Sequence, residues 1–456
     1  MFLKVGTYRN EAQIVAIVIG SLASFTSGMV LAWPSPFIPK IVTDKENYNL
    51  THKEASYIPI LNTVGLLISL PFTLLLPDRF GRKPTLLFSG VPFAACWILK
   101  YFFTNLYVLY FARFVAGLGD ALLLSSLPLY IGEVAIPEVR GVWGNSLIVS
   151  GYLGQFLMNI VGSYLSVKDT SLICLSVPIV FVISFSFMPE SPYFYIMKGK
   201  YEEAKTSLRK FRLKENIDDE FLTLKSDVQR QMSESGTIKD LFFIKSNRRA
   251  LVAGLFMRIS QMLSGLFVFI SYTQFIFLKA GGNVDPSVSA IIYTGLAATL
   301  FLVASVFAEK LGRKKSLSIS LVLSAVVLLL EGFYFYVDQY IKEIDLSNLK
   351  WFPLAGMLVF LIFVSFGVAI IPTLMLSELF SASIKAKAVS IVMAAYAISY
   401  VLMNTLFYQL TSSLGLCAPF FVFGICNIVS AFLVGILVPE TKGKTLEDIQ
   451  QDLKSN

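Results

Sequence analysis

Eight charged side chains form two matching sets, and their chemistry is ion pairing that can be made and broken. The first set is Asp78, Arg82, Glu133 and Arg140; the second is Glu309, Arg313, Glu378 and Lys385. Asp78-Arg79-Phe80-Gly81-Arg82-Lys83 is echoed by Glu309-Lys310-Leu311-Gly312-Arg313-Lys314, and Pro189-Glu190-Ser191-Pro192 by Pro439-Glu440-Thr441-Lys442. Both Glu133 to Arg140 and Glu378 to Lys385 place an acid seven residues before a base. Gly81 permits a sharp turn. Asp78 falls near a helix C-terminus, an unfavourable place for an acid unless a cation adjoins it. A loop of this kind can clamp neighbouring helices in one arrangement and release them in another. A lone copy would read equally well as a basic turn that fixes topology, whereas two copies in matching places read as paired latches.

The elements that must position these residues are apolar. Of 456 residues, 55% are hydrophobic and 15% charged, with a mean hydropathy of +0.69. A soluble chain carries about 25% charged residues. Twelve apolar runs are each long enough to cross a hydrocarbon core as a helix. They fall near 12–33, 55–77, 85–103, 107–129, 142–166, 170–188, 250–271, 288–308, 316–337, 352–376, 387–411 and 418–438. Alternation of the β-barrel type is absent, so the spans are read as helices that satisfy their own backbone. The expected organisation is a six-span half at 1–188, a polar helical linker at 189–249, a second six-span half at 250–438 and a tail at 439–456. Two similar halves built from membrane spans are the signature of an alternating-access transporter.

With both termini cytoplasmic, seven of the 38 Lys and Arg residues fall on the opposite side: Lys40, Lys45, Lys53, Lys168, Lys279, Lys342 and Lys350. Lys100, Arg113 and Arg258 lie within spans, and the remainder face the cytoplasm, which is the positive-inside pattern. That bias accounts for the net charge of +8 without a nucleic-acid partner. No cleavable signal peptide is visible, since the first run is too long for one. Asn49-Leu50-Thr51 is a glycosylation sequon in the expected outer loop. Cys96, Cys174, Cys417 and Cys426 lack metal-ligand spacing and read as packing residues. The single histidine, His52, has no nucleophile, metal cluster or phosphate loop around it, so no enzyme, metal or cofactor is expected.

The motifs resemble closely the sugar porter family of the major facilitator superfamily. The resemblance rests on Asp78–Lys83, Arg113 with Gly117 and Gly119, Pro128-x-Tyr130-x-x-Glu133, Arg140-Gly141, Pro189–Pro192, Gln261-x-Leu263-Ser264-Gly265, Glu309–Lys314, Glu378 and Pro439–Lys444. It spans essentially the whole chain, and the texture is most similar to insect facilitated trehalose transporter-like members. It implies an all-α membrane protein, with twelve transmembrane helices in two six-helix bundles and a cytoplasmic helical bundle between them. It further implies a plasma-membrane carrier working as a monomer in the lipid bilayer, moving a sugar such as trehalose or a hexose by facilitative uniport. The eight charged residues would form its cytoplasmic salt-bridge gates. Lys385 and Tyr193 stand where the family usually has Arg, and a Lys cannot reproduce the bidentate geometry.

The same resemblance implies a substrate site at Gln261, Tyr272, Thr373 and Tyr396. Several positions where the family carries hydrogen-bonding or aromatic ligands are changed here: Met262, Phe267, Ala297, Thr373, Tyr396, Ala397, Ile148 and Ser365. Unpaired hydroxyls are penalised in such a pocket, so a carrier of the same fold for a less polar non-sugar or a polyol substrate is the alternative. Proton-coupled relatives carry an Asp where this chain has Ser27, which points to a facilitator. Asp120, Arg258 and Glu331 nonetheless lie in apolar runs, where a charge should face the bundle interior or water. Asp120 is read as a partner of Arg113 or Lys100, with proton coupling as its alternative role. Arg258 is read as snorkelling and Glu331 as reaching the outer interface. A non-transporting sugar sensor is a third alternative, lowered by the short tail.

Overall fold

A computed structural model describes residues 10–48, 50–233, 236–341, 343–380, 382–442, 448–449 and 451–452. The side chains of 141, 142, 231, 233, 304–311, 377, 382, 383 and 386 also fall outside the description, so Asn49 and the side chain of Glu309 are not placed. Among the described residues there is no strand, and twelve helices are long and apolar enough to span a membrane. They are Glu11–Thr43, His52–Thr73, Arg82–Phe102, Leu106–Val134, Ser146–Tyr164, Val167–Ser186, Lys245–Ala280, Pro286–Val303, Arg313–Tyr340, Ser347–Ser365, Lys387–Leu414 and Cys417–Leu437.

Three spans depart from the simple apolar runs. The first continues beyond Ala32 as a second helix, Pro34–Thr43, ten residues further than hydropathy suggests. The seventh is broken between Lys245–Leu263 and Leu266–Ala280. Gly265, with φ 85°, takes the left-handed turn at that break. The tenth stops at Ser365 and resumes as Ile371–Leu379. Gly367 lies in that second break, where a Cβ would collide with Ser320 and the Ser316 carbonyl. Ser320 secures it by donating to the Phe363 carbonyl at 2.7 Å and accepting from Val368 N at 3.2 Å. Broken backbone at membrane depth survives only where such partners replace the lost helical bonds.

By packing, the chain divides into two compact units. One comprises Met1–Val30, Val64–Gln155 and Leu165–Ser235; the other comprises Leu31–Thr63, Phe156–Tyr164 and Gly236–Asn456. The polar linker contributes three amphipathic helices to the first unit: Pro192–Met197, Tyr201–Arg212 and Asp218–Ser233. Ile196, Ala204, Leu208, Ile217, Phe221 and Val228 form their common core. Arg212 ties them to the fourth span by donating to the Val134 carbonyl at 2.9 Å. Gln13 joins in from the first span, donating to the Phe211 carbonyl at 3.3 Å.

Candidate functional site

In the first unit, Gly81 turns the chain from the second span into the third with φ 116°. The third span then begins with free backbone N–H groups and no side-chain cap of its own. Glu190, from the linker, supplies one: its carboxylate accepts from Lys83 N at 3.1 and 3.2 Å. A carboxylate at a helix N-terminus is favoured by the peptide dipoles. Arg82, one residue into that helix, meets Glu133 from the end of the fourth span. Its Nε lies 3.0 Å from both Glu133 oxygens and its Nη2 lies 2.9 Å from Oε1. Ser191 Oγ donates to Glu133, and Asp78 adds a second acid to Arg82 at 3.1 Å. Tyr193 lays its ring 5.6 Å from the same guanidinium.

The second unit repeats this construction. Gly312 turns with φ 91° into the ninth span. The Glu440 carboxylate accepts from Arg313 N at 3.0 Å and Lys314 N at 3.2 Å. Arg313 Nη2 meets Glu378 at 2.9 Å, and Thr441 Oγ1 donates to Glu378 at 2.5 Å. Lys83 and Lys314 also match, donating to the carbonyls of Ser186 and Gly435, each at 2.7 Å. The structure therefore brings Arg82 to Glu133 and Arg313 to Glu378, with Glu190, Ser191, Glu440 and Thr441 beside them. Their signal was the repeated Pro-Glu-Ser/Thr motif itself. Arg140 stands apart: it is exposed and donates to the Gly132 carbonyl at 3.3 Å. Lys385 lies half-buried in the helix Ala382–Leu414, just before the eleventh span.

Burial pushes the Glu190 carboxyl up from its ordinary value, against the pull of the backbone N–H groups and Arg82. At Glu440 burial also pushes upward, but N–H groups of Lys442, Arg313, Lys314 and Thr441 outweigh it, and the carboxyl is held below the usual range.

The candidate substrate residues lie in the second unit. Gln261 is buried, and its amide donates to the carbonyls of Val368 and Ala369, each at 3.0 Å, in the tenth-span break. Its own carbonyl accepts from Arg258 Nη1 at 2.8 Å. Tyr396, half-buried, places its ring 5.4 Å from the Arg258 guanidinium, with Phe267 edge-on at 5.7 Å. Arg258 is 5% exposed, so it lies inside the bundle rather than snorkelling to the surface. Glu331 is likewise buried rather than interfacial, lying against Gly356, which leaves no room for a Cβ. Thr373 lies half-buried past the tenth-span break.

Tyr272 belongs to a different cluster. It sits at a kink in the seventh span (φ −116°, ψ 19°) and donates to the Ser56 carbonyl at 3.4 Å. Nearby in the chain, Gln274 donates to Ser163 at 2.7 Å and Ser35 to Asn159 at 2.9 Å. Gln274 N also bonds Ser35 Oγ at 3.3 Å. These bonds join the first, fifth and seventh spans. Sequence reading missed them, because each polar residue is isolated in an apolar run.

In the first unit, Arg113 is fully buried and donates to the Val30 carbonyl. Asp120, 6% exposed, accepts from Ser27 Oγ at 2.5 Å. The acid thus meets the first span at Ser27.

Residues 12–453 match the family described as "Sugar (and other) transporter". The chain is similar to the facilitated trehalose transporter Tret1 of Polypedilum vanderplanki, with 31% identity over 97% of the chain and 88% of that protein. It is 30% identical to Tret1 of Drosophila virilis over 97% of the chain; there it spans about half of the relative's length, 48%. Among solved structures it is similar to a partially occluded inward-open xylose transporter XylE from E. coli. That match has a TM-score of 0.79 and 19% identity, covering 95% of this chain and 100% of that one. The proton:xylose symporter XylE bound to 6-bromo-6-deoxy-D-glucose matches at a TM-score of 0.78 and 20% identity, covering 98% and 100%. These structural likenesses establish the twelve-helix major facilitator fold.

Proposed function

The chain belongs to the sugar (and other) transporter family as a multi-pass membrane protein, and from that membership we propose that it is a facilitative carrier. It moves a sugar such as trehalose or a hexose across the plasma membrane by alternating access, with both termini cytoplasmic. The relatives it matches are transporters rather than enzymes. The observation that carries the mechanism is the doubled latch: Arg82–Glu133 with Glu190, and Arg313–Glu378 with Glu440, each pinning the start of a span to the end of another. Two clasps built alike, one within each half, hold the spans of each six-helix bundle (1–188 and 250–438) together, as a rocker of two rigid bodies requires. The Gln274–Ser163 bond joins the two halves, and breaking it lets them rock apart there.

Uptake by the full-length protein in proteoliposomes tests this reading. Labelled trehalose and hexoses should equilibrate without accumulating. Failure of every saccharide would remove sugars from the substrate list and favour the less polar substrate. A second reading, proton symport, is favoured by the Ser27–Asp120 hydrogen bond, because it puts a buried carboxyl beside the first span. Accumulation driven by a pH gradient and abolished by Asp120→Asn would establish it over uniport.

A further inference from the structure

We propose that Arg258 is a substrate-recognising residue and that the substrate it takes is a monoanionic, hydroxylated carboxylate of the sugar-acid class. The proposal deepens the transporter reading and rests on it. Arg258 lies one turn before Gln261 on the Lys245–Leu263 helix and is 5% exposed. A guanidinium offers five donors. One is engaged by the Gln261 carbonyl, and the face of Tyr396 lies 5.4 Å away. Nε, wholly buried, has no acceptor. Among the described residues no carboxylate comes within ion-pair distance. The other buried acid of this unit, Glu331, does not reach it, and both its oxygens lack hydrogen-bond partners.

A buried charge without a counterion is destabilising, and a desolvated cation–π contact offsets only part of that cost. An Ala or Leu at this position would avoid that deficit, so the charge needs a use. Gln261 narrows what that use can be. Its amide is spent on the Val368 and Ala369 carbonyls, and its oxygen on Arg258. A neutral polyol arriving here meets a glutamine already satisfied by protein. A carboxylate meets the side of a guanidinium whose Nε–H is unpaired, in the geometry that permits a two-bond fork. Tyr396 and Phe267 offer an apolar surface for the carbon skeleton. One guanidinium neutralises one charge, so a monoanion fits and a phosphate dianion would leave a net charge buried.

The test uses full-length protein in proteoliposomes near neutral pH, with radiolabelled gluconate and glucuronate compared against glucose and trehalose. Thermal stabilisation by each unlabelled compound in detergent is the second readout. The proposal expects gluconate or glucuronate to be carried at least about 10-fold faster than glucose, since a site built around a charge rejects ligands lacking it. An inside-positive potential set with potassium and valinomycin should raise that uptake. Arg258→Gln should abolish anion uptake and stabilisation. Arg258→Lys, which keeps charge but not the fork, should retain a weakened response; it serves as the variant of record if Arg258→Gln does not fold. Wild-type protein that carries a neutral sugar but neither carries nor is stabilised by either carboxylate overturns the inference and leaves the transporter reading standing. Carboxylate stabilisation that survives Arg258→Gln overturns it too. Stabilisation without uptake by any compound would support the site and sink the transporter reading instead.

Discussion

The two latches share a plan and differ in how dry they are. Around Arg82 the ion pair is nearly sealed, with side chains 3% exposed for the arginine and 12% for Glu133. Around Arg313 the corresponding values are 16% and 25%. Asp78 and the Tyr193 ring crowd the first guanidinium; among the described residues no ring covers the second. The supporting carboxylates differ in the same sense. Glu190 is buried far enough for desolvation to dominate, whereas Glu440 is wet enough for its backbone N–H bonds to win. Identical motif chemistry thus yields a tight clasp in one half and a looser one in the other. The difference comes from what the linker helices cover, not from the charges.

That contrast predicts its own largest test. Arg82→Ala strands Glu133 in a buried site, where a deserted partner costs roughly 3–5 kcal/mol. Arg313→Ala leaves a partly solvated Glu378, and the loss should be nearer 1 kcal/mol. Thermal midpoints of the purified variants in detergent should therefore fall much further for the first. Uptake should also slow more in Arg82→Ala. Equal losses in the two variants would mean that exposure does not set the strength of the clasps.

How much of this was readable beforehand depended on whether partners shared a local motif. The charged residues stood out because the chain states the pattern twice, but their spacing paired Glu133 with Arg140 and Glu378 with Lys385, whereas the structure joins Glu133 to Arg82 and Glu378 to Arg313 from another span. The breaks at Gly265 and Gly367 were hidden inside apolar runs, and only the shape of the neighbours requires them; Gly367, for instance, answers to Ser320 on another span. Arg258 was misplaced because hydropathy reports depth along a helix and not the rotation of its faces. Glu331 failed for the same reason. Gln274, Ser163, Asn159 and Ser35 were invisible because each bond joins spans whose relative register no local pattern encodes.

The carboxylates allow a finer test by pH. Glu440 has a lowered pKa, so its contribution to stability is present above the ordinary Glu value and is lost as pH falls through the lowered one. Glu190 has a raised pKa, so its contribution is present below the ordinary value and is lost as pH rises through the raised one. Acidification should consequently weaken the second clasp while relieving the first. In midpoint-versus-pH curves, Glu440→Gln should flatten the acid limb, and Glu190→Gln should flatten the limb just above the ordinary carboxylate range. If both variants altered the same limb, the opposite shifts would be wrong.

The smallest expected effect concerns Tyr193, which replaces a charge by a ring in the drier clasp. Its face lies 5.6 Å from the Arg82 guanidinium, and such a contact contributes about 0.5–1 kcal/mol where partly exposed. Tyr193→Ala should lower the thermal midpoint slightly, and Tyr193→Phe should leave it near wild type, because the quadrupole of the ring rather than the hydroxyl meets the cation. Were Phe as damaging as Ala, the ring contact would not be what holds Arg82. Tyr193→Arg asks the sharper question. It restores the family residue but sets a second cation beside Arg82, with Asp78 and Glu133 to share between them. If the pocket's two acids are enough for both, the midpoint rises and the first clasp is short of charge. If Arg82 already saturates them, it falls, and the ring is the better partner because it adds attraction without another charge to neutralise.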